Sequence, residues 1–384
     1  MIYLDHNATT PLHPDVFQAM EPYLREQFGN ASSSYRLGRE AKITLENSRK
    51  KVAACLGAKA DEIIFTSGGT ESDNLALRGI ARAQRDKGTH IITSRIEHHA
   101  VLRTCEDLEK EGFRVTYLPV GASGQINPDD VRRHIDRETI LISIMAANNE
   151  TGVIQPISEV GAIANREGII FHTDAVQAVG KIPVNVDDFR VDLLSISGHK
   201  FYGPKGVGTI YVRRGTPIAP IQTGGHHELN LRAGTENIPG IVGFAEALSI
   251  ATRDLNISSQ RIADLRQRFE SIILKKIDGV QINGAHAPRV PNTSNMSFQF
   301  IEGESILLHF DLKGICASSG SACSTESPEP SHVLLAMDVP ALTAQGAIRF
   351  SLGKDNTDKE IDYVIESLID ITAKLRKISS IRKI

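Results

Sequence analysis

Short apolar runs alternate with amphipathic stretches along most of this 384-residue chain. Seven of them, in "DEIIFTSGG", "THIITS", "FRVTYLPV", "TILISIMAANN", "GIIFHTDA", "VDLLSISG" and "VGTIYVRR", read as buried strands of about four to seven residues each. Helical periodicity fills the intervals, as in "ESDNLALRGIARAQRDKG" and "PISEVGAIANREG", the second closed by a glycine in the C-cap position. Strand–helix alternation predicts an α/β fold with a mainly parallel seven-stranded sheet covered on both faces. In such sheets chemistry collects beyond the carboxyl ends of the strands, so the polar residues after each run are the candidates.

The pattern changes near Ser258. A long charged helical stretch, "SSQRIADLRQRFESIILKKIDG", leads to the alternating segment "NTSNMSFQFI", a cysteine-bearing loop, "GAIRFSLGKDNT" and a terminal helix, "TDKEIDYVIESLIDITAKLRKI". This predicts a large domain over 16–255. A smaller α+β domain combines 1–15 with 256–384 and carries a loop at about 318–331.

Composition narrows the picture. With 23% charged residues, 41% hydrophobic ones and a net charge of −3, the chain reads as an ordinary globular protein and lacks the basic excess that phosphate-backbone binding needs, so no nucleic acid is expected. No apolar run is long enough to span a bilayer, and "MIYLDHNATT" has neither the basic start nor the apolar stretch of a signal peptide, so the expectation is cytoplasmic, with no membrane contact. Cys55, Cys105, Cys316 and Cys323 form no disulfide framework and show no C-x-x-C spacing. Cys55 and Cys105 fall in amphipathic helical patterns and Cys316 ends an apolar strand, so all three read as packing residues. Cys323 stands among Ser, Gly, Ala and Thr, where little can pack around a thiol.

Five strand ends carry candidate chemistry. "FTSGGTESDNLAL" places Gly68, Gly69 and Thr70 at a helix start, where backbone N–H groups and a hydroxyl can hold an anion. "SRIEHHAVL" brings His98 and His99 into a helix, either as surface residues or as functional ones. "AANNETG" groups Asn148, Asn149 and Glu150, while "FHTDAVQAVG" sends out Asp174 and Gln177. A carboxylate at the end of an apolar strand needs a cation, unless it serves as a helix N-cap. In "DLLSISGHKFYGPKGVG", Lys200 follows Ser197 and His199. It is either a desolvated amine fit for Schiff-base chemistry or a lysine snorkelling to solvent. A phosphate cradle, a carboxylate for a ring nitrogen, a stacking histidine and a reactive lysine together suit pyridoxal 5'-phosphate.

At this point the chain resembles the NifS/IscS-type cysteine desulfurases, class V aminotransferase-like enzymes of the fold-type I pyridoxal-phosphate group. The resemblance rests on "YLDHNATTP" with "FGNASS", "FTSGGTESDNLA", "EHHAVL", "ANNETG", "FHTDAVQAVGK", "SGHKFYGPKGVG", "LRAGTENIPGIVG", "SSGSACS" with "EPSHVL", and "IRFSLG", in family order from residue 3 to about 353. It implies that Lys200 binds the cofactor and Asp174 bonds its pyridine nitrogen, with Gln177 and Asn149 on the ring-oxygen side and His98 stacked on the ring. Gly69, Thr70, Ser197 and His199 would hold the phosphate, joined by Thr235 from the second subunit of a homodimer. Arg349, assisted by Asn149, would clamp the substrate carboxylate. The implied reaction converts L-cysteine to L-alanine, with Lys200 and His98 moving protons and Cys323 taking the sulfur as a persulfide. A sulfur acceptor such as an iron–sulfur scaffold protein (IscU/NifU-like) would receive it. No resident metal is implied; Cys323 would at most be a transient iron–sulfur ligand. Selenocysteine lyase or aminotransferase activity on the same fold, and a non-catalytic sulfur relay, are the competing readings. The segments "HNATT", "GGHHELNLRAGT" and "STESPEPSH" depart from the family's commoner forms while leaving Arg232, Thr235 and Cys323 in place.

Overall fold

The computed structural model describes residues 1–319 and 330–378. A two-residue strand, β1 (Ile2–Tyr3), comes first, and every one of the seven apolar runs then forms a strand: β2 (Ile63–Thr66), β3 (His90–Ser94), β4 (Arg114–Leu118), β5 (Thr139–Ser143), β6 (Ile170–Asp174), β7 (Leu193–Ser197) and β8 (Gly208–Val212). They make one sheet in the order β2-β8-β7-β6-β5-β3-β4. Neighbours from β7 across to β4 are parallel, and β8 runs antiparallel to both β2 and β7.

Successive strand residues point to opposite faces, and the core divides accordingly. Ile64, Ile91, Leu141, Leu193 and Ile210 pack with the helices Gly69–Gln84 and His99–Lys110. Phe65, Ile92, Ile142, Leu194 and Tyr211 pack with Arg36–Leu56, Ile157–Glu167 and Ile238–Arg253. Gly168 ends the helix Ile157–Glu167 in the left-handed conformation, as its sequence position predicts.

The turn after β2 is where glycine is required. Gly68 has φ 155°, a region only glycine enters freely. A Cβ on Gly208, at the start of β8, would lie 2.6 Å from the Gly68 Cα. The close approach of these two backbones aims the N-terminus of the helix Gly69–Gln84 at the carboxyl edge of the sheet.

The remaining strands are β9 (Val280–Ile282), β10 (Thr293–Phe298), β11 (Ile315–Cys316) and β12 (Ala347–Ser351). An antiparallel sheet, β12-β10-β9, packs with the helices Leu255–Lys276, Gly303–Leu312 and Asp358–Ile378 around Phe269, Phe298, Phe310 and Phe350. β1 pairs in parallel with β11, and Leu4 joins this second core. The alternation read in "NTSNMSFQFI" has an unexpected cause: all six residues of β10 are buried. Its polar side chains meet other protein instead of solvent, with Thr293 accepting from Asn7 and Asn295 donating to the Glu150 carbonyl.

Cys105 is buried, Cys55 and Cys316 are half-buried, and all three are free thiols. Among the described residues no helix is long and apolar enough to cross a membrane.

Candidate active site

The carboxyl ends of β2, β3, β5, β6 and β7 converge with β12 on a cleft of about 440 Å³. Gly69, Thr70, His98, Asn149, Asp174, Gln177, Ser197, His199, Lys200 and Arg349 all line it. Thr235 does not: it is exposed on a loop and is not among the residues lining this cleft. Cys323 lies outside the described residues.

Lys200 stands on the short turn after β7, and its Nζ donates to the carbonyls of Asn7 (2.6 Å) and Ala8 (2.7 Å). The lysine therefore turns inward, and the snorkelling alternative is excluded. His98 is the N-cap of the helix His99–Lys110, its Nδ1 accepting from the Ala100 N–H at 3.1 Å. That bond assigns the ring proton to Nε2. Burial, reinforced by the nearby Lys200 charge, pulls the His98 pKa down to about 4, so the imidazole is neutral. His199 is likewise lowered to about 4 by burial and by Lys200, and its ring contacts the Thr9 hydroxyl at 3.1 Å.

Asp174 ends β6 almost wholly buried, with Oδ1 accepting from the Val176 N–H at 2.9 Å. Burial pushes its pKa up to about 6, and Lys200 opposes that rise. A carboxylate held this way has capacity for a cationic N–H donor facing it from the cleft. In the same cleft, Gly69, Thr70 and Ser197 present a helix N-terminus and two hydroxyls. This donor set fits pyridoxal 5'-phosphate: an anion cradle for the phosphate, a carboxylate for a protonated ring nitrogen, and an inward lysine for the aldehyde carbon.

Several functional neighbours escaped the sequence reading. Asn7 is a hub: its carbonyl accepts from Gln177 Nε2 and Lys200 Nζ, its Oδ1 from Lys181 Nζ and Asn292 Nδ2, and its Nδ2 donates to the Asn149 carbonyl and Thr293 Oγ1. Buried Lys181 also donates to Gln177 Oε1, so the amide nitrogen of Gln177 is fixed on the Asn7 side. Asp73 lines the cleft with Oδ1 buried and lacking a hydrogen-bond partner, 3.7 Å from His172 Nε2. Burial first, then the Asp174 charge, raises its pKa well above its ordinary value. Glu150, which the sequence already groups with Asn149, has its pKa raised to about 7 by burial and accepts from Ser331 Oγ at 2.5 Å. Asp73 had a signal: it shares a helical stripe with Ala76, Leu77 and Ile80, all buried. Asn7 and Lys181 lie within the quoted motifs "YLDHNATTP" and "FHTDAVQAVGK", but the contact between them spans 174 residues and no local pattern shows it.

The unusual segment "GGHHELN" also finds a structural basis. Glu228 is buried and bonds both Arg49 Nη1 and Nη2 at 2.7 Å, and also accepts from the Phe65 N–H at 2.7 Å. Glu228, Leu229 and Asn230 all have positive φ, a strained run that the ion pair holds in place.

The Aminotransferase class-V family matches residues 2–364 of the chain. Cysteine desulfurase IscS of Dictyoglomus turgidum is 54% identical over 378 residues, covering 98% of this chain and 96% of that protein. Cysteine desulfurase IscS of Methanosarcina thermophila is 52% identical, covering 98% and 93%. Among solved structures, a NifS-like protein superposes with a TM-score of 0.92 at 40% identity, covering 97% of this chain and all of that one.

Proposed function

The chain belongs to the class-V aminotransferase family and, within it, to the cysteine desulfurases, and from this premise we propose how its cleft works. Arg349 receives the carboxylate of L-cysteine, a planar charge-assisted contact suited to guanidinium. Gly69, Thr70, Ser197 and His199 would hold the phosphate of pyridoxal 5'-phosphate, Asp174 would pair with its protonated ring nitrogen, and Gln177 and Asn149 would lie on the side of its ring oxygen. When bound, the cofactor supplies an electron sink for charge developing at the substrate Cα. Lys200 removes and returns the proton at that carbon. His98, neutral because it is buried, carries a proton to or from the substrate.

The Cys323 thiolate attacks the substrate Sγ. An S–S bond forms, the Cβ–Sγ bond breaks, and its electron pair stays on Cβ, which is protonated to the methyl group of L-alanine. Substrate and enzyme thiol thus become alanine and an enzyme persulfide, with no outside oxidant. We place this cycle in a cytoplasmic homodimer whose Thr235 completes the phosphate site of the partner subunit, a role consistent with its exposure and its absence from the lining of its own cleft. The persulfide then passes to an acceptor of the iron–sulfur scaffold kind.

The observation that carries this reading is the pairing of an inward Lys200 with a buried Asp174 on adjacent strand ends. Incubation with L-cysteine followed by mass spectrometry should find one added sulfur on Cys323, transferable to a scaffold protein. Cys323→Ser should abolish sulfur release while keeping the yellow colour of the loaded protein. Full turnover by that variant would refute the persulfide route.

A further inference from the structure

Arg349 is nearly buried and already has a resident anion. Its Nη2 donates to Asp5 Oδ1 at 2.7 Å and its Nη1 to the Asn149 carbonyl at 3.1 Å. Its Nε is buried and has no hydrogen-bond partner among the described residues. Asp5 touches the guanidinium without itself lining the cleft. Its second oxygen accepts from Ser318 Oγ at 2.9 Å, and a backbone bridge to Ser351 fixes its main chain. Asp5 is therefore a rigid counter-ion on Arg349, with the orphaned Nε–H left for something else.

We infer that Asp5, acting through Arg349, sets the affinity for the substrate carboxylate. The inference rests on the reading of Arg349 as the carboxylate clamp. An arginine buried alone costs much more than one that is paired, so Asp5 stabilises the substrate-free cleft. The same negative charge partly cancels the field that an incoming carboxylate meets. Arg349 keeps its orientation through Asn149 and through packing around a buried side chain, so removal of the Asp5 charge acts chiefly on attraction. The consequence is a clamp set for turnover: the α-carboxylate of product alanine is held loosely enough to leave.

The test uses the cofactor-loaded protein and two ligands, L-alanine and ethylamine, which differ in the carboxylate. Binding is followed by the change in visible absorbance and by calorimetry. Asp5→Asn should tighten L-alanine about tenfold, a factor equal to about 1.4 kcal/mol, and leave ethylamine unchanged. Asp5→Ser, which keeps a polar partner for Ser318, should act in the same direction if the asparagine variant folds poorly. In turnover of L-cysteine, KM should fall more than kcat. An L-alanine affinity that stays constant or weakens, or a parallel change for both ligands, would overturn the inference. If the parent protein itself fails to prefer L-alanine over ethylamine, the assignment of Arg349 falls, and the inference with it.

Discussion

Replacing Glu228 with glutamine removes one charge from a buried pair while keeping its shape. In the parent, Arg49 and Glu228 have side chains only 6% and 2% exposed and meet through two 2.7 Å bonds. Breaking such a pair from one side costs about 3–5 kcal/mol, because the surviving charge stays buried. Glu46, half-exposed and 3.4 Å from Arg49, and the Ile63 carbonyl remain as partial partners, which places the cost near the lower end, about 3 kcal/mol. Unfolding entropy of about 2.1 cal/mol/K per residue gives this 384-residue chain about 0.8 kcal/mol/K, so Tm should drop by about 4 °C. Differential scanning calorimetry of parent, Glu228→Gln and the double variant Arg49→Met, Glu228→Leu decides the matter. The double variant should recover most of the loss, since an apolar replacement of both partners leaves no stranded charge. If the double variant melts at or below the single one, the stranded-charge argument is wrong. The loop that Glu228 anchors also carries Thr235, so the single variant should loosen that loop to protease before the sheet unfolds.

Two other outcomes are expected. Asp174→Asn should weaken retention of pyridoxal 5'-phosphate about 10- to 100-fold, the worth of a charge-assisted hydrogen bond, measured by absorbance titration; unchanged retention would dismiss Asp174 as the ring-nitrogen partner. Glu97, buried against Met145 and Ser94, has its carboxyl raised by burial to about 8 from the usual 4.5. The folded state therefore holds a proton that the unfolded chain releases, and this group's contribution to stability is lost as pH rises from about 4.5 to about 8. Glu97→Gln should thus gain on the parent in Tm across that window, and a gap independent of pH would refute the shift.

The sheet was readable because each of its strands is an apolar run bounded by polar residues, and the helices between them repeat every three to four positions. Lys200, Asp174 and His98 were readable because strand ends are where side chains reach a cleft; Arg349, in the middle of β12, was readable only through the motif that resembles a family. Asn7, Lys181 and Asp5 stand inside the matched motifs, but their contacts were hidden: each has a partner 174 to 344 residues away, Thr293 for Asn7, Asn7 for Lys181 and Arg349 for Asp5. A local window holds no trace of that. Asp73 was hidden differently, behind the assumption that an acidic residue on an amphipathic helix faces water.

The Asn7 hub also dictates an order of assembly. Residues 2–10 leave the ribosome well before their partners, which include Lys200, Thr293, Cys316 and Ser351. The seven-stranded sheet ends at Val212 and can collapse while the second core is still unmade. The floor beneath Lys200 cannot close until β12 has emerged. During synthesis the leading segment must wait unpaired, so a nascent chain halted before residue 347 would carry the lysine, the carboxylate and the phosphate cradle around an open base. The catalytic cleft thereby becomes competent only after β12 has emerged, and a chain interrupted before it would not start its chemistry.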